Sequence, residues 1–318
     1  MRRSEHAAAR VDSPTERRNP RTVDIDRVST TELLRMISAE DALVPVAVAG
    51  ELHNVAHAVE LAVTALRSGG RLHYFGAGSS GRIAAMDAAE LPPTYGVPPE
   101  LVVAHHAGGG ATLDRAAEDV EDDEDLGRAE AAEVGPLDVA VGLAASGRTP
   151  YVLAALATAR VAGARTVLIS GNPGAPAGRL ADVHIAVDTG PEVIAGSTRM
   201  KAGTAAKLVL NAFSTAVMVR LGRTYSNLMV GMHAGNSKLR GRGATILAEA
   251  TGTDPESVAA VLERAEGDTR VALVSLLCGV DTEEAARAVV AAGGVVREAV
   301  RLIGGDRTTT EDSRERGP

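Results

Sequence analysis

Apolar residues recur at helical spacing near the start of the chain, before any pattern typical of a strand. Residues 30–38 and 52–66 show this period, and Gly69 and Gly70 follow the second segment as a stop signal. Short apolar runs then alternate with further helical segments. These five runs cover residues 72–75, 101–105, 139–144, 166–170 and 183–187. The pattern predicts five strands separated by helices.

Strands that alternate with helices predict an α/β fold, because parallel neighbours need a crossover connection. The runs VAVGLAA and TVLIS are almost continuously apolar, as expected for strands covered by helices on both faces. We therefore predict a doubly wound sheet of five parallel strands. Ligands of such sheets bind beyond the carboxyl ends of the strands, so chemistry is expected in the loops there.

No strand pattern returns after about residue 190, and the rest of the chain shows helical periodicity alone. Residues 201–221 form a long Ala-rich helix that should be largely buried. Both ends of the chain are polar. We predict four regions: a disordered tail over 1–22, a main domain with N-terminal helices over 23–250, a small all-α domain over 251–305 and a second disordered tail over 306–318.

Composition limits the classes of partner that this protein can bind. The chain is 45% hydrophobic and 23% charged, which is globular, with 2% aromatic residues and a net charge of −8. Base stacking and phosphate-backbone binding are disfavoured, so we predict no nucleic-acid partner, whereas a small anionic ligand is compatible. Cys278 is the one cysteine, and no run approaches the roughly 18 uninterrupted apolar residues of a membrane span. These features predict a cytoplasmic protein without a membrane partner.

Three loops combine glycine with hydroxyl residues at predicted helix starts. They are GAGSSGR with Ser79 and Ser80, ASGRTP with Ser146, Gly147 and Thr149, and GSTRMK with Ser197, Thr198 and Lys201. Glycines let the backbone approach an anion, while helix N-termini and hydroxyls donate hydrogen bonds. The first loop lacks the lysine of a P-loop and the full dinucleotide fingerprint, which favours one phosphate held without a metal over a nucleotide. The alternative for each loop is a structural strand-to-helix turn.

Lysine is rare in this chain. Of its 33 basic residues, three are lysines: Lys201, Lys207 and Lys238. A coding bias toward arginine explains this as well as a local need for a compact ammonium charge. On the second interpretation Lys201, beside Ser197 at a helix start, faces the anion, and Lys207 is structural.

Four segments carry a more specific resemblance: GAGSSGRIAAMDAAELPPTYG, GLAASGRTPY, GPEVIAGSTRMKAGTAAKLVLN and NLMVGMHAGNSKLRGR. They resemble the N-acetylmuramic acid 6-phosphate etherase family of the sugar isomerase (SIS) superfamily, from about Asp24 to Arg301. The serine-rich loops are shared across the superfamily, whereas ELPPTYG and STRMKAGTA are narrower. The resemblance implies the SIS fold, a homodimer with its site near the subunit interface, a small C-terminal helical domain, no cofactor and cytoplasmic recycling of cell-wall amino sugar.

The resemblance also implies a reaction. The D-lactyl ether of N-acetylmuramic acid 6-phosphate is cleaved by elimination and water addition, which gives N-acetylglucosamine 6-phosphate and D-lactate. A ring-opened C1 aldehyde acidifies the hydrogen on C2, so one group must remove that proton and another must protonate the departing lactate oxygen. Carboxylates can fill both roles. The catalytic glutamates of the family match Glu90 in AAELPPTYG and Glu121 in AAEDVEDD.

Both glutamates also have a structural interpretation. Glu90 ends a predicted helix and lies roughly 12–15 Å along it from Ser80. Either the loop folds back, or Glu90 serves a site shared with the neighbouring subunit. Glu121 lies in a run of seven acids in eight residues, 118–125, and such runs are usually solvated. Acids crowded in sequence do not set a coordination geometry, and no Cys/His metal spacing is present, so we predict no metal. Whether His105 or His106, after the second strand, touches substrate stays open.

Two other functions are compatible with the loops. One is a non-catalytic sugar-phosphate sensor, since a regulatory protein of hexose metabolism has the same loops, but it resembles two tandem copies of this domain. The other is an aldose–ketose sugar phosphate isomerase. Isomerisation needs no leaving group at C3, so the narrow ELPPTYG match favours the etherase.

Overall fold

The computed structural model of the chain describes residues 13–113, 119–231 and 237–304, with side chains left out for 237–240. These residues divide into two compact units. The first comprises the chain up to Ala88 together with Glu100–Ser214, and the second comprises Ala89–Pro99 together with the chain from Thr215 onward.

The first unit is built on a five-stranded parallel sheet. Its strands are β1 (Leu72–Gly76), β2 (Val102–His106), β3 (Val139–Leu143), β4 (Arg165–Ser170) and β5 (Val183–Ala186). Their order is β2-β1-β3-β4-β5, and each neighbouring pair is parallel. The predicted doubly wound sheet is confirmed. The chain leaves β1 toward β2 on one side and returns to β3 on the other, which places the topological switch point at the carboxyl end of β1.

Helices flank this sheet. Those of the first unit are α1 (Thr30–Asp41), α2 (Val44–Gly50), α3 (Leu52–Arg67), α5 (Glu124–Glu130) and α6 (Pro150–Val161), together with the first parts of α4 (Gly78–Tyr95) and α7 (Lys201–Arg220). α3 buries Val55, Val59 and Val63, whose four-residue spacing makes one apolar face. α6 lies so close to β3 that a Cβ on Gly142 would stand 2.7 Å from Cγ1 of Val152.

The N-terminal segment is better ordered than its composition indicates. The predicted tail over 1–22 is too long, because residues 13–22 contain two short 3-10 helices, Pro14–Glu16 and Pro20–Thr22. The Thr22 hydroxyl donates to the carbonyl of Val193 at 2.8 Å, and the Gly196 amide donates to the carbonyl of Thr15 at 3.0 Å. Short polar side chains and backbone groups thus satisfy one another in a segment that lacks apolar periodicity. Residues 1–12 and the predicted tail over 306–318 lie outside the described residues.

The second unit is mostly helical. It contains α8 (Ser237–Thr251), α9 (Pro255–Arg264), α10 (Thr269–Cys278), α11 (Thr282–Ala291) and a last helical segment, residues 296–304. Buried apolar residues such as Leu247, Leu262 and Leu273 form its core. At the start of α9, the Asp254 carboxylate accepts a hydrogen bond from the Ser257 amide at 2.9 Å, as expected for a helix cap.

Two features of this unit differ from the prediction. A short antiparallel hairpin, β6 (Thr224–Tyr225) with β7 (Leu228–Met229), follows α7 although no further strand was expected. The unit also begins at Thr215 and includes Ala89–Pro99, whereas the predicted domain begins at residue 251. The backbones of Gly96 and Gly231 approach so closely that a Cβ on Gly96 would stand 1.8 Å from the Gly231 carbonyl oxygen. Because α7 is uninterrupted, the sequence carries no linker signal at this boundary.

Among the described residues, α7 is the one helix long and apolar enough to cross a membrane by length and composition. Half of its most apolar window is buried within the protein. Val209, Leu210 and Phe213 belong to the buried core. Core packing therefore accounts for the apolar character of this helix.

Candidate functional site

A cavity of about 200 Å³ lies in the first unit beyond the carboxyl ends of β1, β3 and β4. Predicted site residues make up much of its wall: Ser79, Ser80, Glu121, Ser146, Thr149 and Thr198. Glu16, Ser170, Gly171 and Gly203 also line it. The cavity thus sits at the edge where ligands of doubly wound sheets bind. We call it the strand-end pocket.

The first loop turns sharply from β1 into α4. A Cβ on Gly76 would stand 2.7 Å from the Gly81 amide nitrogen, and Gly78 has a φ of +52°, so glycine is required for the tight turn. Ser79 and Ser80 then fall in the first turn of α4. The first amides of a helix have no acceptor within it, and here they accompany two hydroxyls at the pocket wall. This end of α4 therefore suits an anion.

The second loop joins β3 to α6. Gly147 has a φ of +65°, and a Cβ there would stand 2.2 Å from that of Ala175, so Gly147 shapes the loop and does not itself line the pocket. Asn172, two residues after β4, donates to the Ser146 carbonyl at 3.1 Å and holds the loop in place. Thr149 precedes Pro150 at the start of α6 and makes no capping hydrogen bond with its side chain. Its hydroxyl is therefore available to a ligand.

The third loop differs from the prediction, because Lys201 does not enter the pocket. Its side chain is fully buried, and Nζ donates to Oε2 of Glu40 at 2.7 Å and to the Thr189 carbonyl at 2.8 Å. Arg21 also binds Glu40, and the hydrogen bonds from Arg21 and Lys201 lower the pKa of that carboxyl to about 2. The ammonium group thus belongs to a buried ion pair. The prediction that Lys201 faces the anion is therefore wrong.

The carboxylate of Glu192 lies at the N-terminal end of α7, where the helix dipole is positive. Glu192 is fully buried and accepts hydrogen bonds from the amides of Lys201 and Ala202, each at 2.9 Å. A second anion at these amides is excluded. The third loop contributes Thr198 to the pocket wall, whereas Ser197 lies beside the pocket without lining it.

Two carboxylates line the strand-end pocket. Glu121 lies on a short 3-10 helix, Val120–Asp122, and is exposed. Glu16 comes from the N-terminal segment and was not found by the sequence analysis. Its Oε2 would stand 3.1 Å from a Cβ on Gly196, a residue with a φ of +78°. Glu16 lies in a polar stretch without periodicity, so no pattern singled it out.

Glu90 and the two histidines that end β2 lie elsewhere. Glu90 is an exposed residue of α4 and belongs to the second unit, whereas the strand-end pocket belongs to the first. His106 is buried between the Thr112 hydroxyl, 2.8 Å from Nδ1, and the Gly78 carbonyl, 3.3 Å from Nε2. His106 therefore supports the first loop through the Gly78 carbonyl. His105 contacts His73 and is also absent from the pocket wall.

Comparison with known proteins identifies relatives. Residues 38–171 match the model of the SIS domain. N-acetylmuramic acid 6-phosphate etherase of Thermobifida fusca (strain YX) is 64% identical over 84% of this chain and 88% of its own. The etherase of Symbiobacterium thermophilum is 52% identical over 84% of this chain and 89% of its own. A solved phosphoheptose isomerase from Francisella tularensis has a TM-score of 0.51 at 16% identity, over 60% of this chain and 100% of its own, and shows the fold alone.

Proposed function

This chain belongs to the N-acetylmuramic acid 6-phosphate etherase family, and we propose that it is a carbon–oxygen lyase that cleaves the D-lactyl ether of N-acetylmuramic acid 6-phosphate. The products are N-acetylglucosamine 6-phosphate and D-lactate. One observation carries the proposal to this site: a single pocket at the strand ends combines five hydroxyl side chains predicted for phosphate binding with the Glu121 carboxylate. The hydroxyls can bind an anion, and the carboxylate can transfer a proton.

We assign the 6-phosphate to the hydroxyl wall. Ser79 and Ser80 offer hydroxyls at the N-terminus of α4, and Ser146, Thr149 and Thr198 face the same cavity. Neutral donors and helix amides bind a phosphate without a metal. Gly147 and Ser197 adjoin these donors and shape the two loops that present them. No cofactor is part of this proposal.

Elimination needs two proton transfers near the sugar. Removal of the C2 proton from the ring-opened aldehyde leaves a carbanion stabilised by the carbonyl, and the C3–O bond to lactate then breaks as its oxygen gains a proton. Water adds to the resulting double bond at C3. We propose Glu121 for one transfer, since it lines the pocket, and Glu90 for the other, from its match to the family motif. The division of acid and base between them is left open.

We also propose that the protein acts in the cytoplasm as a homodimer with the pocket near the subunit interface. Glu90 is exposed and belongs to the second unit, and the family resemblance implies a site near the subunit interface, so a partner subunit offers a route for it to reach substrate. Family membership supports the metabolic role. Identity of 64% to an etherase supports this activity over the two alternatives, a sugar-phosphate sensor and a sugar phosphate isomerase.

Ser146→Ala tests the hydroxyl wall. Loss of one hydrogen bond to a charged group costs about 1.5–3 kcal/mol, so kcat/KM for the muramic sugar phosphate should fall roughly ten- to a hundredfold. Lactate release is the measurement. Ser68→Ala is the matched control, because Ser68 is exposed at the end of α3 and bonds only the neighbouring Thr64 carbonyl. Unchanged kinetics in Ser146→Ala would remove this residue from the site.

Isotope labelling tests the reaction route. In heavy water the product sugar should carry deuterium at C2, because a carbanion there must be reprotonated from solvent. In water enriched in oxygen-18 the label should appear on C3 of the sugar, since water enters there. Mass spectrometry of both products reads the result. Hydrolysis at the lactyl carbon would instead label the lactate hydroxyl, and that outcome excludes elimination.

A further inference from the structure

A pair of histidines lies on the sheet of the first unit, away from the strand-end pocket. His73 is the second residue of β1 and is fully buried, and His105 lies on β2, its side chain 9% exposed. Nδ1 of His73 lies 3.0 Å from Nε2 of His105. The ring of Phe75 stacks on His105 with centroids 4.4 Å apart. Neither histidine lines the pocket, so the proposed reaction does not use them.

A carboxylate completes a set of three ligand groups. Glu133 ends a 3-10 helix, Ala131–Glu133, and its Oε1 lies 3.6 Å from Nε2 of His105. One ligand atom from each of His73, His105 and Glu133 lies within 4.8 Å of the others. Two ligands of a tetrahedral zinc ion, each about 2.1 Å from the metal, lie about 3.4 Å apart. The observed separations of 3.0 and 3.6 Å bracket that value.

The outward nitrogen of each imidazole faces a further carboxylate. Nε2 of His73 lies 3.6 Å from Oδ2 of Asp138, and Nδ1 of His105 lies 4.0 Å from Oε2 of Glu130. Both separations are longer than a hydrogen bond, and the second N–H of a metal-bound histidine is generally directed at a carboxylate. His73 Nε2 is buried without a hydrogen-bond partner among the described residues, which is unusual for a buried polar atom.

From this geometry we propose that His73, His105 and Glu133 form a zinc site that is separate from the catalytic pocket. The three groups supply two nitrogens and one oxygen, and a water molecule would supply the fourth ligand of a tetrahedral ion. Nitrogen and oxygen donors of this kind suit Zn²⁺ better than Mg²⁺ or Ca²⁺. Sequence spacing did not reveal the set because its members come from two strands and a distant turn.

The charge and protonation of the cluster suit a dication. Asp138, Glu130 and Glu133 supply three carboxylates, against the guanidinium of Arg71 beside Glu133. The hydrogen bond between Nδ1 of His73 and Nε2 of His105 places one proton between the two rings. Binding requires one ring to move its proton from the shared hydrogen bond to its outward nitrogen. No proton leaves the cluster, and both inner nitrogens then carry a lone pair.

The bound ion would join three parts of the first unit. β1 and β2 supply the histidines, and the turn after α5 supplies Glu133. The same stretch of chain, from Val120 to Glu133, begins with the short helix that carries Glu121. The zinc ion therefore has a structural role in this proposal, and it takes no part in the elimination.

Zinc titration of the untagged full-length protein tests the site. The protein is stripped with EDTA, dialysed, and titrated with Zn²⁺ against a chromogenic chelator, with thermal unfolding followed in parallel. We expect one Zn²⁺ per chain and a higher unfolding midpoint in its presence. Co²⁺ should give the intense visible absorption of a four-coordinate ion. Absence of stoichiometric binding would overturn the proposal.

Matched variants locate the ion. His105→Gln should abolish binding, and Glu133→Gln should weaken it by at least about tenfold. Because Glu133 is half exposed, its variant keeps the test valid even if His105→Gln destabilises the fold. His184→Gln is the control, since His184 lies in the same sheet on β5 and bonds the Ser170 hydroxyl at 2.8 Å. Zinc affinity of the wild-type value in both His105→Gln and Glu133→Gln would show that the ion binds elsewhere.

Discussion

Replacing Glu121 by glutamine is expected to lower kcat by about 100- to 10,000-fold, the usual contribution of a positioned acid or base. The amide keeps the shape of the side chain but cannot exchange a proton with the substrate. Under the proposal the phosphate binds other residues, so KM should change far less than kcat. Steady-state lactate release from N-acetylmuramic acid 6-phosphate, with wild-type protein measured in parallel, gives both constants.

The acidic run around Glu121 supplies the control. Glu124→Gln makes the same chemical change three residues along, at an exposed side chain that pairs with Arg128 at 3.0 Å. Glu124 does not line the pocket, and an exposed ion pair contributes little to stability. We expect near wild-type kinetics. Equal losses in the two variants would mean that the charge of the run matters and that Glu121 has no individual role.

Glu90→Gln extends this comparison to the second glutamate. We expect substrate binding to persist and turnover to fall by a similar factor, since the family motif assigns proton transfer to this position. Mixing inactive Glu90→Gln chains with inactive Glu121→Gln chains tests whether the site is shared. In a shared site some mixed dimers regain both glutamates at one pocket, and activity returns. Fully active Glu90→Gln protein would remove this residue from the mechanism.

The sheet and its loops could be predicted from the sequence because local patterns of residues specify both. Continuous apolar runs separated by helical periodicity mark buried parallel strands, and VAVGLAA became β3 with each residue of Val139–Leu143 buried. The loop glycines carry a similar local signal, as at Gly147, where φ is +65°. Once strands are placed in parallel, their carboxyl ends must share one edge. Five of the predicted hydroxyl residues accordingly line one pocket.

The contacts between individual side chains could not be predicted from the sequence in this way. Lys201 follows a hydroxyl-rich loop at a helix start, which favoured an anion-facing role, yet its partner Glu40 stands 161 residues earlier. Glu192 occupies the amides that the sequence analysis left open to a ligand. Glu16 entered the pocket wall from a stretch that looked disordered. In each case a carboxylate from outside the loop decides the role, and periodicity carries no information about such pairs.

Glu40→Gln is expected to destabilise the first unit by about 3–5 kcal/mol, because it leaves a buried ammonium without its counter-charge. The Lys201 side chain has no exposed surface, and after the change the Thr189 carbonyl, 2.8 Å from Nζ, remains as its acceptor. Chemical denaturation of both proteins at pH 7 measures the difference. A loss below about 1 kcal/mol would contradict a buried ion pair at this position.

The double variant Glu40→Gln/Lys201→Met separates charge from packing. Removing both charges should recover much of the lost stability, since an apolar replacement for a buried pair is often neutral or stabilising. The pH dependence gives a second test. The pKa of Glu40 is lowered to about 2 in the folded protein, so its contribution is fully present above the ordinary carboxyl pKa of about 4.5 and is lost as the pH falls toward 2. The stability difference between wild type and Glu40→Gln should therefore shrink between pH 5 and pH 2. A constant difference across that range would show that the lost stability comes from packing around the side chain and not from its charge.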